Sequence, residues 1–411
     1  MSKRSTDLLI IGAGPAGLAA ARAASPEASV IIVDDNPNVG GQIWRAELGR
    51  HKLADVSRTI QSITRTGIDL ITAAEVHSAA DSQIIVESAG KRSEIKYEKL
   101  IIATGARERF LPFPGWTLPN VMGAGGLQAM VKGGLNIAGK LVVIAGTGPL
   151  LLAVAEYLKR KGARISAIVE QAPPFRLNRF GVGLIASPSK LKQALALKTK
   201  LLGVPYLTDC WVTAAKGNDR IESVELRRKG RSWTVECDFL ACGYHLVPNL
   251  ELPRLLGCNV KNGAVVVNEF QQTSITNVFA AGETTGIAGM ESALIEGEIA
   301  GLSACGRLND ARLLFAKRDR ATRFGNKMNE AFMLRDELRS LAGSDTIVCR
   351  CEDVRFDRLT EFKTFREAKL QTRCGMGPCQ GRICGTAAEF LFNWEPASVR
   401  EPIFPVKMEN L

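Results

Sequence analysis

Five of the ten cysteines of this 411-residue chain lie in its last sixth. They form a close pair, Cys349 and Cys351, followed by a second group, Cys374, Cys379 and Cys384. Four thiolates that converge on one small inorganic centre are what a [2Fe–2S] cluster requires. The spacing therefore predicts a centre that moves electrons.

Three alternative roles for these cysteines remain open. Structural zinc usually uses Cys-x2–4-Cys pairs, often with histidine, but the first pair here is Cys-x-Cys and the histidines, His51, His77 and His245, lie far upstream. A disulfide framework needs an oxidising compartment, and we find no secretory signal that implies one. Buried cysteines that simply fill a core are the third possibility.

The predicted metal ligands are the Cys-x-Cys pair and a Cys-x4-Cys pair, namely Cys349, Cys351, Cys379 and Cys384. Cys384 opens a helix-like run, residues 385–391, and a helix N-terminus favours the thiolate form. Cys374 is then a spare thiol beside the site, although the sequence does not decide between Cys374 and Cys384 as the fourth ligand. The glycine-rich turn 375–378 would present backbone N–H groups to the sulfurs and so tune the reduction potential.

The N-terminus carries a dinucleotide-binding pattern. An apolar strand, residues 8–11, leads into a glycine-rich turn, an alanine-rich helix and a second apolar strand that ends at Asp34. In such a βαβ unit one glycine allows the tight turn, one lets the backbone approach a pyrophosphate, and one lets helix pack on strand. These roles fall to Gly12, Gly14 and Gly17. We expect Asp34 to accept a ribose hydroxyl, with Asp35 as a near-equal candidate.

Three later segments resemble further landmarks of FAD-binding two-domain reductases. They are Gly40-Gly41-Gln42, Ala103-Thr104-Gly105 and the run 277–283, which ends in Gly282-Glu283. In that superfamily the late glycine–acid pair holds the ribityl and pyrophosphate, and the following helix points its N-terminus at the flavin. The resemblance implies FAD bound through Gly41, Gln42, Thr104, Gly105, Gly282 and Glu283, with glutamate standing where aspartate is commoner. An ordinary NAD-binding domain, the alternative, would not need the late motif.

A second, weaker fingerprint follows. A strand leads to Gly146-Thr147-Gly148, then to a helix ending near Arg160, and then to a strand that ends at Glu170. Leu151 replaces the third small residue, so helix and strand must stand further apart and a nucleotide would fit less closely. Two interpretations stay open: a site for NAD or another adenine nucleotide at Gly146, Gly148 and Glu170, or a structural domain without one. Glu170 would favour a free ribose hydroxyl over the 2′-phosphate of NADP.

These patterns predict an α/β fold with two nested Rossmann-like dinucleotide-binding domains in a glutathione-reductase-like arrangement, followed by a small helical [2Fe–2S] module. The predicted limits are 1–118 and 245–305 for the split FAD domain, 119–244 for the second, NAD-type domain, 306–342 for a helical connector, and 343–411 for the cluster-binding domain and tail.

Composition excludes some classes of function. A net charge of +11 is spread in short clusters, and aromatic residues make up 6% of the chain, so a nucleic-acid stacking surface has little support. The sequence contains no run of about 18 apolar residues, the length that a transmembrane helix requires. Lys3-Arg4 and the apolar run after it imitate a signal peptide, but cleavage there would remove the phosphate loop. We expect a cytoplasmic protein that reaches membranes, if at all, through partners.

Five segments together resemble the FAD-containing A (alpha) subunits of opine oxidases, hydrogen cyanide synthase and D-hydroxyproline or proline dehydrogenase complexes. The segments are Gly105–Arg109, Pro112–Trp116, Ala241–Pro248, Cys349–Val354 and Gly377–Arg382. The cysteine module resembles the bacterioferritin-associated-ferredoxin type of [2Fe–2S] domain. In that family a separate oxidase-type flavoprotein subunit oxidises the substrate's C–N bond, and the A subunit carries the electrons away.

The residues support this relay role independently. Dithiol reductases of the fold place two cysteines beside the flavin, but the upstream cysteines here are isolated in the sequence, and no upstream histidine or paired carboxylates suggest a general base. The expected function is therefore an electron-transfer subunit of an amino- or imino-acid dehydrogenase, acting on an opine, D-hydroxyproline, proline or glycine through its partner. The acceptor, a quinone, a cytochrome or a small protein, is not identified. The alternative is a stand-alone NADH-dependent ferredoxin-type reductase.

Overall fold

The computed structural model describes residues 2–25, 27–44, 68–80, 82–395 and 398–410. The chain divides into two compact units. The first comprises Met1–Arg107, Val247–Asn326 and Ser398–Leu411, and the second comprises Glu108–Leu246 and Lys327–Ala397. The cysteine-rich segment thus belongs to the same unit as the second nucleotide-type domain, while the C-terminal tail belongs to the first unit. The finer limits given by the sequence stay a prediction.

The first unit is built on a seven-stranded sheet in the order β3-β2-β1-β6-β5-β4, with β19 beside β6. Its strands are β1 (Ser2–Ile11), β2 (Val30–Val33), β3 (Asp69–Ile71), β4 (Ala74–Ala80), β5 (Gln83–Ser88), β6 (Lys91–Ile102) and β19 (Val278–Ala280). Strands β1, β2, β3, β6 and β19 run parallel, and β6 pairs with β1 from Ser93 to Ile102. On its other side β6 pairs first with β5, which is antiparallel to it and to β4, and then with β19.

The register of this sheet assembles the site. Ile11 lies opposite Val33 on one side and Ile102 on the other, and Ala280 also lies opposite Ile102. Four strands therefore end at one edge, and the turns that follow them, predicted from separate parts of the sequence, meet there. Ligands bind at such carboxyl ends of parallel strands. The strands are buried on both faces, which explains their uninterrupted apolar sequences.

The first unit contains six helices within its described residues. They are α1 (Pro15–Ala24), α2 (Gly41–Trp44), α7 (Glu251–Leu255), α8 (Met290–Ala304), α9 (Leu308–Arg312) and α10 (Phe315–Ala331), the last of which continues into the second unit. A short 3-10 turn, Gly282–Thr285, and a two-stranded hairpin, β17 (Val260–Lys261) with β18 (Ala264–Val265), complete the unit.

The second unit contains a parallel five-stranded sheet, β11-β10-β9-β15-β8, and a three-stranded antiparallel sheet, β12-β13-β14. Their bounds are β8 (Val121–Gly123), β9 (Leu141–Thr147), β10 (Arg164–Glu170), β11 (Tyr206–Thr208), β12 (Trp211–Lys216), β13 (Ser223–Arg228), β14 (Arg231–Glu236) and β15 (Phe239–Tyr244). The helices are α3 (Ala124–Lys132), α4 (Pro149–Arg160), α5 (Pro174–Gly183) and α6 (Pro188–Lys200), with a 3-10 turn, Leu184–Ala186, between α5 and α6. The chain crosses between the units in β7 (Ala106–Glu108) and β16 (Leu246–Pro248).

The cysteine-rich segment folds around its own small core. It contains β20 (Ile347–Cys349), β21 (Val354–Arg355), α11 (Phe356–Leu359), α12 (Phe365–Thr372) and α13 (Cys384–Phe392). Phe356, Phe392 and Trp394 stack in series, with ring centroids 5.2 and 4.4 Å apart. Aromatic rings and cysteine side chains make up much of this core, so the module is held together largely by the groups that surround its candidate metal site.

The C-terminal tail packs on the first unit. Ile403 is 5% exposed within the core beneath β4, and its backbone N–H donates to the carbonyl oxygen of His77 at 2.9 Å. Glu401 accepts a hydrogen bond from the N–H of Ala79 at 3.1 Å. The tail therefore packs against another part of the same chain. Among the described residues, we find no helix with the length and apolar character needed to cross a membrane.

Candidate functional site

The first glycine-rich loop has the close contacts that its glycines predict. Gly12 has φ +108°, and a Cβ there would lie 2.3 Å from the carbonyl oxygen of Ala103. A Cβ on Gly17 would lie 1.8 Å from the carbonyl oxygen of Gly12. The turn after β1 and the start of α1 therefore have no room for any side chain at these two positions.

Gly14 and Gly41 form the open part of this cradle. A Cβ on Gly41, whose φ is +57°, would lie 3.0 Å from the Cα of Gly14. The N–H of Gly40 donates to the carbonyl of Ala13 at 2.8 Å, which fixes the two glycine turns side by side. Gln42 follows on the exposed surface of α2. Bare backbone at a helix N-terminus suits a pyrophosphate, so these residues fit the dinucleotide expected from the sequence.

Asp34 lies at the end of β2, as expected, but its carboxylate contacts the backbone. One oxygen accepts the N–H of Ala13 at 2.6 Å and the other accepts the N–H of Asn36 at 2.8 Å. The side chain is 6% exposed. Asp34 therefore fixes the glycine-rich loop by hydrogen bonds. The next residue, Asp35, is exposed.

The segment Thr104-Gly105 is joined to the late motif by Thr284, a residue that the sequence did not single out. The N–H of Gly105 donates to the Thr284 hydroxyl at 3.1 Å, and the hydroxyl oxygens of Thr104 and Thr284 are 3.3 Å apart. Asn249 adds a second link, since its side-chain amide donates to the carbonyl of Thr104 at 2.8 Å. Pairing of β6 with β19 brings Thr284 to Thr104, and Asn249 follows β16, so long-range contacts rather than a local sequence signal place these residues.

Gly282 and Glu283 lie in the 3-10 turn at the same edge. A second missed residue, Glu296 on α8, orders this turn: it accepts the N–H of Gly282 at 2.9 Å and the hydroxyls of Thr285 and Ser292 at 2.8 Å. Burial raises the pKa of Glu296, and burial together with the Glu296 charge raises the pKa of Glu283. Glu296 thus positions the loop that carries Glu283.

The second glycine-rich loop is present in the second unit. Gly146 has φ +137°, and a Cβ there would lie 2.0 Å from the carbonyl oxygen of Gly243, so glycine is required for β9 to pass β15. Gly148 has φ +98° and precedes α4, while Leu151 is fully buried beneath that helix. The fold of a dinucleotide domain is complete here.

Glu170, however, is fully buried and its oxygens are engaged. One accepts the Thr147 hydroxyl and the N–H of Ala172, and the other accepts the N–H of Gly148, each at 2.8 Å. Burial raises its pKa to about 7 in spite of these hydrogen bonds. The carboxylate is thus hydrogen-bonded to the backbone of its own glycine-rich loop, as that of Asp34 is in the first unit.

The chain after α10 contacts residues beside this acid. The Thr147 hydroxyl lies 3.0 Å from the carbonyl of Phe332, whose ring is buried against Phe180 with centroids 5.7 Å apart. Arg335 donates to Asp209 at 2.8 Å, and its guanidinium lies 4.2 Å from the Trp211 ring. The connector therefore occupies the carboxyl edge of β9 and β10.

A second carboxylate, that of Glu108, lies at the neighbouring part of the carboxyl edge of this sheet. Glu108 accepts the N–H of Gly125 at 2.7 Å at the N-terminus of α3. A Cβ on Gly123 would lie 2.5 Å from its carboxylate, and one on Gly243 would lie 3.4 Å from it. Burial raises the pKa of Glu108, and the N–H groups of Gly125 and Gly126 oppose this. The positive end of α3 is therefore already paired with an anion from the same chain.

The C-terminal cysteines form a trio and a pair, and all ten cysteines of the chain are free thiols. The sulfurs of Cys349, Cys374 and Cys384 lie within 4.8 Å of one another, and all three residues are buried. Hydrogen bonds from the thiols of Cys374 and Cys384 lower the pKa of Cys349 to about 2, and the Gly375 N–H also contacts its sulfur at 3.5 Å. Three sulfur donors of this kind suit iron or another thiophilic metal.

Cys351 and Cys379 form the pair. The backbone and thiol of Cys379 both hydrogen-bond Cys351, and the Cys349 charge also acts on Cys351, so the pair adjoins the trio. A Cβ on Gly377 would lie 2.3 Å from the Cys351 Cβ, which makes glycine necessary at this turn. Of the four expected ligands, Cys349 and Cys384 thus lie in the trio and Cys351 and Cys379 in the pair. Cys374, expected as a spare thiol, lies in the trio.

The upstream cysteines of the second unit are poor nucleophiles. Burial raises the pKa of Cys210 to about 11, that of Cys237 to about 12, and that of Cys242 further still. A thiol that stays protonated near neutral pH does not perform dithiol exchange. The chemistry that this chain can support is therefore that of a bound dinucleotide and a thiolate-ligated metal centre.

Comparisons with known proteins agree with this description. Residues 6–297 match the family model described as pyridine nucleotide-disulphide oxidoreductase. The chain is 31% identical over 430 residues to hydrogen cyanide synthase subunit HcnB of Pseudomonas aeruginosa, covering 92% of this chain and 90% of the relative. It is 30% identical over 464 residues to the A subunit of opine oxidase from Agrobacterium tumefaciens, covering 98% and 91% respectively.

A solved structure shares the fold of the whole chain. The crystal structure of L-proline dehydrogenase from P. horikoshii superposes with a TM-score of 0.71 at 19% identity, covering 100% of this chain and 80% of that one. The predicted α/β fold with Rossmann-like domains and the predicted resemblance to these subunits are both confirmed.

Proposed function

The chain belongs to the pyridine nucleotide-disulphide oxidoreductase family and is a flavin-dependent oxidoreductase, and from this we propose that it is the electron-transfer subunit of a multi-subunit amino- or imino-acid dehydrogenase or oxidase. The substrate is an opine, D-hydroxyproline, proline or glycine, oxidised on a partner flavoprotein subunit. Electrons pass from that partner through FAD and a [2Fe–2S] cluster of this chain to an external acceptor, which is a quinone, a cytochrome or a small protein.

The strongest support is the similarity over almost the entire chain to proteins named as subunits. The A subunit of opine oxidase and the HcnB subunit of hydrogen cyanide synthase each align with more than nine-tenths of this chain. Since both names describe one component of a larger assembly, we infer that this chain also works with partner subunits. We place the assembly in the cytoplasm, with any membrane association made through partners.

The residues proposed to hold FAD meet at the carboxyl edge of the first sheet. Gly12, Gly14, Gly17 and Gly41 leave bare backbone for the pyrophosphate, and Gln42, Thr104, Gly105, Gly282 and Glu283 surround the flavin half. Asp34 or Asp35 serves the adenosine ribose. The bound flavin would supply a centre that takes up two electrons together and releases them singly. The protein's part is to fix the loops: Asp34 holds the first, Thr284 the second and Glu296 the third.

We propose Cys349, Cys351, Cys379 and Cys384 as the ligands of the cluster. The donor chemistry fits, because five thiols lie in one small module and the trio and the pair adjoin each other. Cys374 is the competing candidate because its sulfur lies within 4.8 Å of those of Cys349 and Cys384. The cluster would supply a one-electron centre.

A stand-alone NADH-dependent reductase is the alternative, and the second unit argues against it. Such an enzyme needs a working nucleotide site at Gly146, Gly148 and Glu170. Glu170 is fully buried and engaged by three hydrogen-bond donors, and the Phe332 carbonyl contacts the hydroxyl of one of them, Thr147. We therefore favour a structural role for the second dinucleotide-type domain, without bound NAD or another adenine nucleotide.

Purification of the tagged chain from its native host tests the proposed function. We expect an oxidase-type flavoprotein to co-purify in a fixed ratio, and the preparation to contain FAD, iron and acid-labile sulfide. A chain that purifies alone and reduces a dye rapidly with NADH would contradict the proposal and support the reductase. The matched control is the same tag on an unrelated cytoplasmic flavoprotein, which should not retain the partner.

A further inference from the structure

A helical hairpin in the second unit has a surface that the proposed function does not use. The hairpin, residues 173–203, comprises α5, a 3-10 turn and α6 and connects β10 to β11. Every residue of α5 and α6 lies in the described part of the chain, and none of them is buried. Leu177 and Phe180 are partly buried against Phe332, which anchors one side of α5. Leu184 and Leu201, which lie just outside α5 and α6, are 9% and 7% exposed and anchor other parts of the hairpin. Surface helices normally bury an apolar stripe in this way.

Large apolar side chains project from the hairpin into solvent. Phe175, Val182 and Ile185 are each 68% exposed, Leu195 is 54% exposed and Leu202 is 71% exposed. Phe175 and Val182 are seven residues apart in α5, and this spacing returns to the same face of a helix. Ile185 lies in the 3-10 turn, Leu195 in α6 and Leu202 just after α6. Exposed apolar side chains collected in this way mark a surface that contacts something other than water.

The charges of the hairpin have a single sign. Residues 173–203 contain six basic side chains and no acidic one, and the basic ones are Arg176, Arg179, Lys190, Lys192, Lys198 and Lys200. Arg179 lies 4.0 Å from Glu330, and Lys200 lies 3.2 Å from Glu156, so the nearest acids belong to other elements. The hairpin therefore combines projecting aliphatic and aromatic groups with a uniformly positive field.

The combination of exposed apolar and basic side chains distinguishes two possible binding partners, a protein surface and a lipid bilayer. Protein interfaces are depleted in lysine and enriched in tryptophan, tyrosine and arginine at their centres. The hairpin has four lysines among its six cations and no tryptophan or tyrosine. Helices that lie in a membrane interface bury leucine and phenylalanine among the acyl chains while lysine and arginine contact anionic headgroups.

We propose that the hairpin binds peripherally to the surface of an anionic lipid bilayer. Phe175, Val182, Ile185, Leu195 and Leu202 enter the headgroup region, and the cations contact lipid phosphates. The inference goes beyond the proposed function, which involves partners only, and it does not depend on that function being correct. Binding of the hairpin would place the chain at the lipid bilayer, in which a lipid-soluble electron acceptor would dissolve.

Sedimentation of the full-length, FAD-loaded chain with vesicles tests the proposal. The probes are vesicles of phosphatidylcholine alone and of phosphatidylcholine with roughly one-third phosphatidylglycerol. We expect binding to the anionic vesicles at low salt and much weaker binding to the neutral ones. The double variants Leu195→Ser/Leu202→Ser and Lys192→Gln/Lys198→Gln should each weaken binding about tenfold or more.

Matched variants elsewhere on the surface control for a general loss of apolar or basic groups. Leu313→Ser removes a side chain that is 81% exposed, and Lys91→Gln/Lys96→Gln removes two exposed cations. Both should bind vesicles as the wild type does, and all variants should keep their FAD because the changed side chains are exposed.

Two outcomes would overturn the proposal. One is a wild-type chain that does not sediment with anionic vesicles at low salt. The other is a pair of hairpin variants that sediment as the wild type does. If the variants instead lose the partner flavoprotein during gel filtration while vesicles bind nothing, the occupant is an acidic protein surface and the lipid assignment is wrong. Because the assay needs no substrate or partner, its failure leaves the electron-transfer proposal standing.

Discussion

Buried carboxylates bind backbone N–H groups at both dinucleotide folds of this protein. Asp34 accepts from Ala13, Glu170 accepts from Gly148, and Glu296 accepts from Gly282. Each acid thereby fixes a glycine-containing loop that has little side-chain packing of its own. Leaving such a buried N–H without its acceptor costs about 1–3 kcal/mol, enough to change loop geometry or ligand occupancy.

The first prediction concerns Asp34. Asp34→Ala removes the acceptor for the Ala13 N–H and for the Asn36 N–H. Because the loop presents its backbone to the pyrophosphate, we expect FAD affinity to fall about tenfold or more, in line with one buried hydrogen bond. Flavin retained after dialysis, measured by absorbance and by identifying the heat-released cofactor, gives the result.

Asp35→Ala is the matched control, since Asp35 is adjacent and exposed. If Asp35→Ala lowers flavin occupancy and Asp34→Ala does not, the ribose acceptor is Asp35 and the loop contacts of Asp34 do not govern FAD binding. Released FMN, or no flavin in well-folded wild-type protein, would contradict the proposed cofactor.

The second prediction concerns the fourth cluster ligand. Anaerobically prepared protein should contain two irons and two sulfides per chain, as a [2Fe–2S] cluster requires. Serine at Cys349, Cys351, Cys379 or Cys384 should abolish the characteristic absorbance and electron paramagnetic resonance signal of the reduced protein. Cys374→Ser should largely retain both.

The competing assignment gives the opposite pattern. Because Cys374 lies in the buried trio, it would replace Cys384 as a ligand if Cys374→Ser lost the cluster while Cys384→Ser kept it. Cys242→Ser serves as the control, because this buried thiol lies far upstream of the cysteine-rich segment. This variant should keep the iron. Stoichiometric zinc without iron would refute an electron-transfer role for this module.

At the scale of elements, the close packing of α1 on α8 supports the first site. A Cβ on Gly297 would lie 2.1 Å from the carbonyl oxygen of Ala16, and one on Gly301 would lie 2.3 Å from that of Ala20. Glycines on one helix thus face alanines on the other, and the two backbones come into direct contact. This explains why α1 is rich in alanine, and it fixes the helix whose N-terminus the pyrophosphate would contact.

The third prediction tests that packing. Gly301→Ala should destabilise the chain by about 1–3 kcal/mol, because the added methyl overpacks a contact between two backbones and this outweighs the gain in helix propensity of about 1 kcal/mol. Flavin affinity should fall with it. Urea denaturation followed by circular dichroism measures the change.

Gly126→Ala provides the matched control within α3. A Cβ there would meet no atom within 4 Å, so only the propensity gain applies and stability should stay equal or rise. A Gly301→Ala variant as stable as Gly126→Ala would show that α1 and α8 are not in backbone contact.

The sequence predicts those parts of the fold and site that local patterns encode. Gly12, Gly17 and Gly146 follow from a strand–turn–helix pattern, and their contacts agree with the roles it assigns. Glu296 and Thr284 could not be predicted, because their partners are brought to them by sheet register and helix packing. The contact of Gln171, the residue after Glu170, with the Phe332 carbonyl likewise joins residues 161 positions apart in the sequence.

At the scale of the whole molecule, the two units have different proposed roles. The first unit has the features of an FAD site, and the second combines a dinucleotide fold covered by its own connector with the thiol cluster. Glu296 and Glu170 are used for structural hydrogen bonds. The proposed function places the substrate chemistry on a partner subunit.

Dye reduction with and without that partner is the most direct test of this division. The assay offers D-amino acids, proline, hydroxyproline, opines and glycine to the FAD- and iron-loaded chain, to the partner flavoprotein, and to their complex. We predict no turnover by the isolated chain with any of these substrates, and turnover of at least one by the complex at a rate that depends on the cluster ligands. Rapid oxidation of any of them by the isolated chain would contradict the account, because the substrate site would then lie in this chain.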